Sequence, residues 1–416
     1  DSEAVLAWDV MDTPSEQDLL PALEIRDKIA AVDSKHPMVV NMKQADTFPM
    51  FASHFAAAGF SHFKSGVTNR LGSSLRTHLP LFGGQQFWVT APAFVYASDA
   101  PDWNTSPQMR LMLNTAMANG AQGWLAHTYH NMPVWIEGHY ERSLTGPFLT
   151  FSDLWSELGN RVSRLSVMAP LFLSAHPIPA PDDIQIEVAV IKHPKSYLQS
   201  DTGPISTFWL RGSDYYLFYI VNNDTSQVAS VNLTIPENLP TGLEIFDTTA
   251  LVRARAWEPT VRQRHIEMFP GQGQLFVIGE PDVCKAWRDT ISKRILEDDR
   301  RQAQVDLELA RQYKVDIDDF AEIICAKETE VSIEKLRQVH TAREQLFNRI
   351  YAAPEIYSTR QLLIRTSAIL CGCDEALSAM HSTGRTDTAH ELGIRVMPLA
   401  QQLTALRIKL RRGRGA

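Results

Sequence analysis

The chain has 416 residues, 44% hydrophobic and 21% charged, the profile of a globular protein large enough for two or three domains. Forty basic against 48 acidic side chains leave a net charge of -8, which argues against a dedicated nucleic-acid binder. That composition also excludes collagen, coiled-coil rods and disordered tails, and no apolar run reaches the roughly 18 residues of a membrane span.

The sequence opens at Asp1 with neither Met nor a charged-then-apolar leader, so a maturation cut or the edge of a fragment is expected, and localisation is not readable. Val5 to Trp8 reads as a strand. Glu16 to Val32 reads as a helix, with apolar Leu19, Leu20, Leu23, Ile29 and Val32 after the Pro14-Ser15 punctuation. Next come a strand at Met38 to Met42, a helix at Met50 to Ala58 and a strand at Gly59 to Phe63. A strand at Phe87 to Ala91, a helix at Ser106 to Ala118 and a strand at Gly123 to His127 follow. Such β-α alternation implies a parallel sheet with helical crossovers. Five units fall short of the eight of a full barrel, so residues 1–176 are expected to be the C-terminal part of a (β/α)8 barrel.

Pro177, Pro179 and Pro181 mark a linker, beyond which strands appear without helices: Glu187 to Ile191, Tyr215 to Val221, Val231 to Ile235 and Gln274 to Ile278. Residues 177–280 are expected to form an antiparallel β-sandwich. Residues 281–416 read as a bundle of three to four helices broken at Pro354, near Gly384 and at Pro398, with stripes such as Ile291, Ile295 and Leu336, Val339. Homo-oligomerisation through this helical domain is one expectation. Cys284, Cys325, Cys371 and Cys373 have no metal-ligand spacing, so free thiols are expected, and the basic tail around Arg411 and Arg412 reads as a solvated terminus.

The stretch Leu6-Ala7-Trp8-Asp9-Val10-Met11-Asp12-Thr13-Pro14, the helix after it and the strand from His36 to Val40 resemble the fourth strand and following unit of retaining glycoside hydrolase barrels. Gly120-Ala121-Gln122-Gly123-Trp124-Leu125 resembles their eighth-strand unit, Leu154 to Leu171 their closing helix, and Tyr215 to Ile278 the small sandwich that often follows. The resemblance covers roughly residues 4–279 and implies an Asp-Glu-Pro motif on the fourth strand. Here that motif is Asp12-Thr13-Pro14, so Thr13 stands at the position of the proton-donating Glu. A threonine hydroxyl cannot serve as a general acid near neutral pH.

Glycoside hydrolysis needs two carboxyl groups, one to donate a proton and one to attack or activate water. At the first strand end only Asp12 and Asp9 are available, and strand alternation points neighbouring side chains in different directions. Phe87 to Tyr96 holds no acid, and Asp99 and Asp102 read as turn formers beside Pro101. The segment from His127 to Arg142 is dense in aromatic and titratable groups that suit a carbohydrate cleft or a packing loop equally. Asp12 with Glu137, or with Glu141 in its place, is the expected catalytic pair. Trp8, Thr13, Trp88, Tyr96, His127, Tyr129, His130 and Trp135 are the expected substrate-binding residues. No cofactor is expected, and His127, His130 and His139 lack the spacing of a zinc site.

Three functions remain open on the sequence: a glycoside hydrolase-like protein acting on an extracellular or cell-surface polysaccharide, an inactive carbohydrate-binding or structural relative in which Thr13 marks the lost acid, and an assembly scaffold using the helical domain. The partner expected of the first two is a poly- or oligosaccharide.

Overall fold

A computed structural model of the chain describes residues 7–42, 47–61, 70–82, 86–92, 95–96, 105–127, 133–134, 139–142, 144, 153–192, 203–235, 242–249, 263–326 and 332–411. In chain order the first elements are β1 (Trp8–Asp12), α1 (Leu19–Val32), β2 (Met38–Met42), α2 (Phe48–Ala52), β3 (Ala57–Ser61), α3 (Arg70–His78), β4 (Phe87–Pro92), β5 (Val95–Tyr96), α4 (Ser106–Ala118) and β6 (Gly123–His127). Strands β1, β2, β3, β4 and β6 form one parallel sheet in that order, curled into half a barrel. Alternate residues explain the curl. Val10, Val40, Met42, Ala58, Phe60, Val89 and Ala91 point outward and share a core with Phe48, Phe51, Leu71, Leu75, Met112 and Ala116 of the covering helices. Each such large side chain contributes about 1.5–3 kcal/mol on burial, which fixes which face of every strand turns inward.

Strand β8 (His139–Arg142) pairs antiparallel with β5 on one side and with β7 (Pro133–Val134) on the other, and α5 (Asp153–Leu173) follows. The next strands are β9 (His176–Ile178), β10 (Glu187–Lys192), β11 (Ile205–Arg211), β12 (Tyr215–Asn222), β13 (Ala229–Thr234), β14 (Glu244–Asp247), β15 (Gln263–Met268) and β16 (Gly273–Gly279). They make two antiparallel sheets, ordered β10-β13-β15 and β14-β16-β12-β11-β9. Strand β12 is buried on both faces. Phe218 continues a row with Trp209 and Phe276. On the other face Tyr219 meets Phe172 edge-on, and the Tyr215 hydroxyl donates to the Leu171 carbonyl at 2.8 Å.

The chain ends in α6 (Pro281–Gln312), α7 (Asp318–Cys325), α8 (Ile333–Ala352), α9 (Pro354–Ser382) and α10 (Thr386–Arg411). Ile291, Ile295, Leu336 and Val339 join the core beneath the strands. Arg294 donates to the carbonyls of Val167 (3.0 Å) and Ser166 (2.6 Å), pinning α6 to α5.

The half barrel is joined to the five-stranded antiparallel sheet through one face of α4. Thr105 caps this helix reciprocally with Gln108, the pattern expected where the first N–H groups would otherwise lack acceptors. Asn114 then donates from Nδ2 to the Gly271 carbonyl at 2.8 Å and accepts from the Tyr219 hydroxyl at 2.8 Å. Arg110 forks onto Glu157 at 2.8 and 3.1 Å and reaches the Pro270 carbonyl at 2.9 Å. Burial pushes the Glu157 carboxyl up, but Arg110 and Arg161 overrule it and hold the group below the usual carboxylate range.

Several elements depart from the sequence expectation. Strand β1 is Trp8–Asp12, not Val5 to Trp8, whose first two residues lie outside the described residues. Strand β3 is Ala57–Ser61 rather than Gly59 to Phe63, of which 62–63 lie outside, because Ala57 and Ala58 are small enough to enter the sheet. Helix α2 accordingly stops at Ala52. Helix α3 has too polar a sequence to announce itself, and buries only Leu71 and Leu75 of its large residues. Among the described residues the tail holds five helices rather than three to four, and Pro398 lies inside α10 instead of breaking it.

The junction yields a stability prediction. Gly271 has φ +67°, and a Cβ there would run into the Pro107 carbonyl oxygen, so both conformation and space demand glycine. Gly271→Ala is expected to lower unfolding free energy by about 2 kcal/mol or more, measured by chemical denaturation.

Candidate functional site

The register of the parallel sheet places Asp12, Asn41, Gly59, Trp88 and Gly123 in one row across all five strands. The row above contains Ser61, Thr90 and Leu125. These residues occupy the face opposite the helices, the concave side of the half barrel. Large and small side chains alternate along the row for a steric reason. A Cβ on Gly59 would collide with the Asn41 carboxamide, and one on Gly123 would come within 2.7 Å of the Trp88 indole. The two glycines thus let Asn41 and Trp88 lie flat across their neighbours.

Asn41, only 8% exposed, is the hub. Its Nδ2 donates to Asp12 Oδ1 at 2.9 Å, while its Oδ1 accepts from Ser61 Oγ at 2.8 Å and Thr90 Oγ1 at 3.2 Å. A carboxylate only accepts hydrogen bonds, so the amide nitrogen must face Asp12 and the oxygen must face the hydroxyls. Four strands are therefore tied at their carboxyl ends, where parallel barrels carry their chemistry.

Asp12 reaches this face through an irregularity. Between Asp9 and Asp12 the pairing with β2 shifts: Asp9 opposes Val39 and Asp12 opposes Asn41, so β1 has one residue more than its partner. Val39 and Asn41 lie two apart and share a face, which puts Asp9 and Asp12 on that same concave face. The alternation expected from sequence fails here because of that extra residue. Immediately afterwards Thr13 adopts φ +51°, and its N–H donates to the Asn41 carbonyl at 2.6 Å. That conformation is strained for a β-branched residue, the more so before Pro14.

Asp9 stands over Val39 and, one strand further, Ala57. Removal from water on that side, reinforced by the Asp12 charge and opposed by the Met11 N–H, pushes its carboxyl up to about 6. The residue stays solvent-exposed because β1 is the edge strand among the described residues, so the crowding acts on one side only.

The expected site residues separate. Asp12, Thr13 and His127 lie at the carboxyl ends of β1 and β6, His127 level with Pro92, and Trp88 joins the Asp12 row. Trp8 does not join them. It is the first residue of β1, about 13 Å of strand away from Asp12. Its Nε1 donates to Asp33 at 3.0 Å, and Asp33 also meets His36 at 2.7 Å. His36 and Trp8 hold the Asp33 carboxyl well below the usual range. Tyr96 lies in β5, with its backbone alone described, and so does Glu141 in β8; Tyr129, His130, Trp135 and Glu137 lie outside the described residues. Sequence reasoning missed Asn41, Ser61, Thr90 and the pairing of Asp9 with Asp12. The available signal was a lone Asn within the apolar strand Met38–Met42.

No family model matches the chain, and no curated protein does so. Among solved structures, a GH30 endoxylanase from Clostridium papyrosolvens C71 is similar with a TM-score of 0.32 and 12% identity, over 64% of this chain and 60% of its own. An Anoxybacillus alpha-amylase is similar with a TM-score of 0.33 and 9% identity, over 62% and 55%. The chain thus spans less than two thirds of either neighbour's length.

Two measurements check the site's energetics. Thr13→Gly is expected to raise stability by about 1 kcal/mol by releasing the left-handed strain, read from thermal melts. A carboxyl raised in the fold disfavours folding above its folded value, and the penalty fades as pH falls toward the unfolded value of 3.8. Asp9→Asn should therefore be more stable than the wild type at pH 8, with the gap closing by pH 4.

Proposed function

We propose that the chain is a glycoside hydrolase-like protein that acts on an extracellular or cell-surface polysaccharide by acid/base hydrolysis of a glycosidic bond. In this reading residues 1–176 are the C-terminal part of a (β/α)8 barrel, 177–280 a β-sandwich and 281–416 a helical domain. The observation that carries it is Asp12, turned by the extra residue in β1 onto the concave face, held there by Asn41 and set in one row with Trp88. Carboxylate, carboxamide and hydroxyl groups suit sugar hydroxyls, and an indole suits the apolar face of a sugar ring. The Asp12-Thr13-Pro14 segment, similar to the family's Asp-Glu-Pro motif, supports the same reading.

Thr13 favours a second reading, an inactive carbohydrate-binding relative, because it replaces the expected donor. The two separate in one experiment: a panel of soluble polysaccharides and aryl glycosides tested for retention in affinity gels and for hydrolysis. Retention with turnover is expected, and Trp88→Ala is expected to weaken retention about tenfold, the loss of one ring stack. Retention without turnover selects the binding protein. A chain that retains and cleaves none of the panel contradicts both.

A further inference from the structure

We propose that Asp9 and Asp12 form the working carboxyl pair of this site, Asp9 giving the proton to the leaving oxygen and Asp12 taking one from water. The inference rests on the hydrolase reading above and deepens it, since it supplies from β1 alone the donor that Thr13 cannot be.

The register carries the argument. In a regular strand, residues three apart face opposite sides, and Asp9 would point into the helical layer if Asp12 faced the concave side. The extra residue between them removes that conflict, and the pairings Asp9 with Val39 and Asp12 with Asn41 set both carboxyls on one face, at its exposed margin. Val10 and Met11, the two residues between, both pack on the helix-facing core, as they must if the strand bulges there. Three residues of strand, about 10 Å shortened by the bulge, bring the pair toward the roughly 6.5–9.5 Å separation that leaves room for a water.

Their surroundings differ in the sense the two roles need. Asn41 donates to Asp12 and steadies an acceptor. Asp9 stands beside the apolar Val39 and Ala57, a setting that favours a carboxyl carrying its proton. Among the described residues on the rows of the concave face around it, the charged group is Asp12, the others being Val39, Ala57, Asn41, Gly59, Trp88, Ser61, Thr90 and Leu125, with His127 beyond at the end of β6. The expected partner Glu137 is not needed for this chemistry.

The step balances with water as co-reactant. The Asp9 proton passes to the glycosidic oxygen as that oxygen's bond to the anomeric carbon breaks. Water gives its oxygen to the carbon and a proton to Asp12. Return of that proton from Asp12 to Asp9 restores the pair.

The test uses the full chain labelled with 13C at aspartate carboxyls, titrated by NMR as wild type, Asp9→Asn and Asp12→Asn, alongside the pH profile of hydrolysis of unactivated oligosaccharides, whose leaving alkoxide needs the proton. One carboxyl, missing in Asp9→Asn, should titrate near 6 and move down in Asp12→Asn. Asp9→Asn should lose at least a hundredfold in kcat, together with the basic limb of the profile. An Asp9 midpoint in the ordinary carboxylate range, or one indifferent to Asp12→Asn, overturns the pair. Normal hydrolysis by Asp9→Asn overturns the donor role while leaving the hydrolase reading intact. Absence of hydrolysis by the wild type across the panel overturns the hydrolase reading and the donor role with it, whatever the titration shows.

Discussion

A single carboxamide holds the candidate site together. Asn41 links β1, β2, β3 and β4 through Asp12, Ser61 and Thr90, and it does so across the backbone of Gly59. Its position on a nearly buried face means that each group lost would leave another without its partner, at about 1–3 kcal/mol apiece. The geometry of Asp12 is thus set by the sheet and not by a loop. The extra residue in β1 and the strained Thr13 are the local consequences of bringing Asp12 to that hub.

The rest of the chain braces the same sheet from behind. Helix α4 covers its convex face with Met112 and Ala116, and meets the antiparallel strands through Asn114, Arg110 and the close approach of Gly271 to Pro107. Helix α5 then packs on β12 and is pinned by Arg294 of α6. The polar bonds of this interface lie between groups with little exposure, where geometry is held tightly and solvent competes weakly. Rigidity behind the sheet is what lets polar groups on its concave face keep fixed spacing.

The sequence made the five parallel strands legible because β-α alternation is a periodic signal, and Ser106–Ala118, bounded by its cap and by Asn119 and Gly120, came out to the residue. The boundary of β1 slipped because aspartate is depleted in strands and Asp9 and Asp12 lie in this one, that of β3 because alanine carries little strand signal, and the polar α3 carried little helical signal. In the site, Asp12 and Thr13 were visible through the motif they resemble. Asn41, Ser61 and Thr90 were not, since their meaning lies in a row across strands that no single segment contains. Trp8 was misplaced by a short count along β1: the strand begins with Trp8, which turns it toward Asp33 at the opposite end. The pairing of Asp9 with Asp12 depends on one unpaired residue, which pattern alone cannot locate.

In the proposed function, the concave row of Asp12, Asn41 and Trp88, with Asp9 beside it, is where a sugar binds. A crystal structure of the chain soaked with an oligosaccharide from a retained polysaccharide tests it most directly. The account predicts a sugar ring stacked on Trp88, with hydroxyls or the bridging oxygen within hydrogen-bond reach of Asp12 and Asp9. A sugar bound elsewhere, with this row untouched, would contradict it.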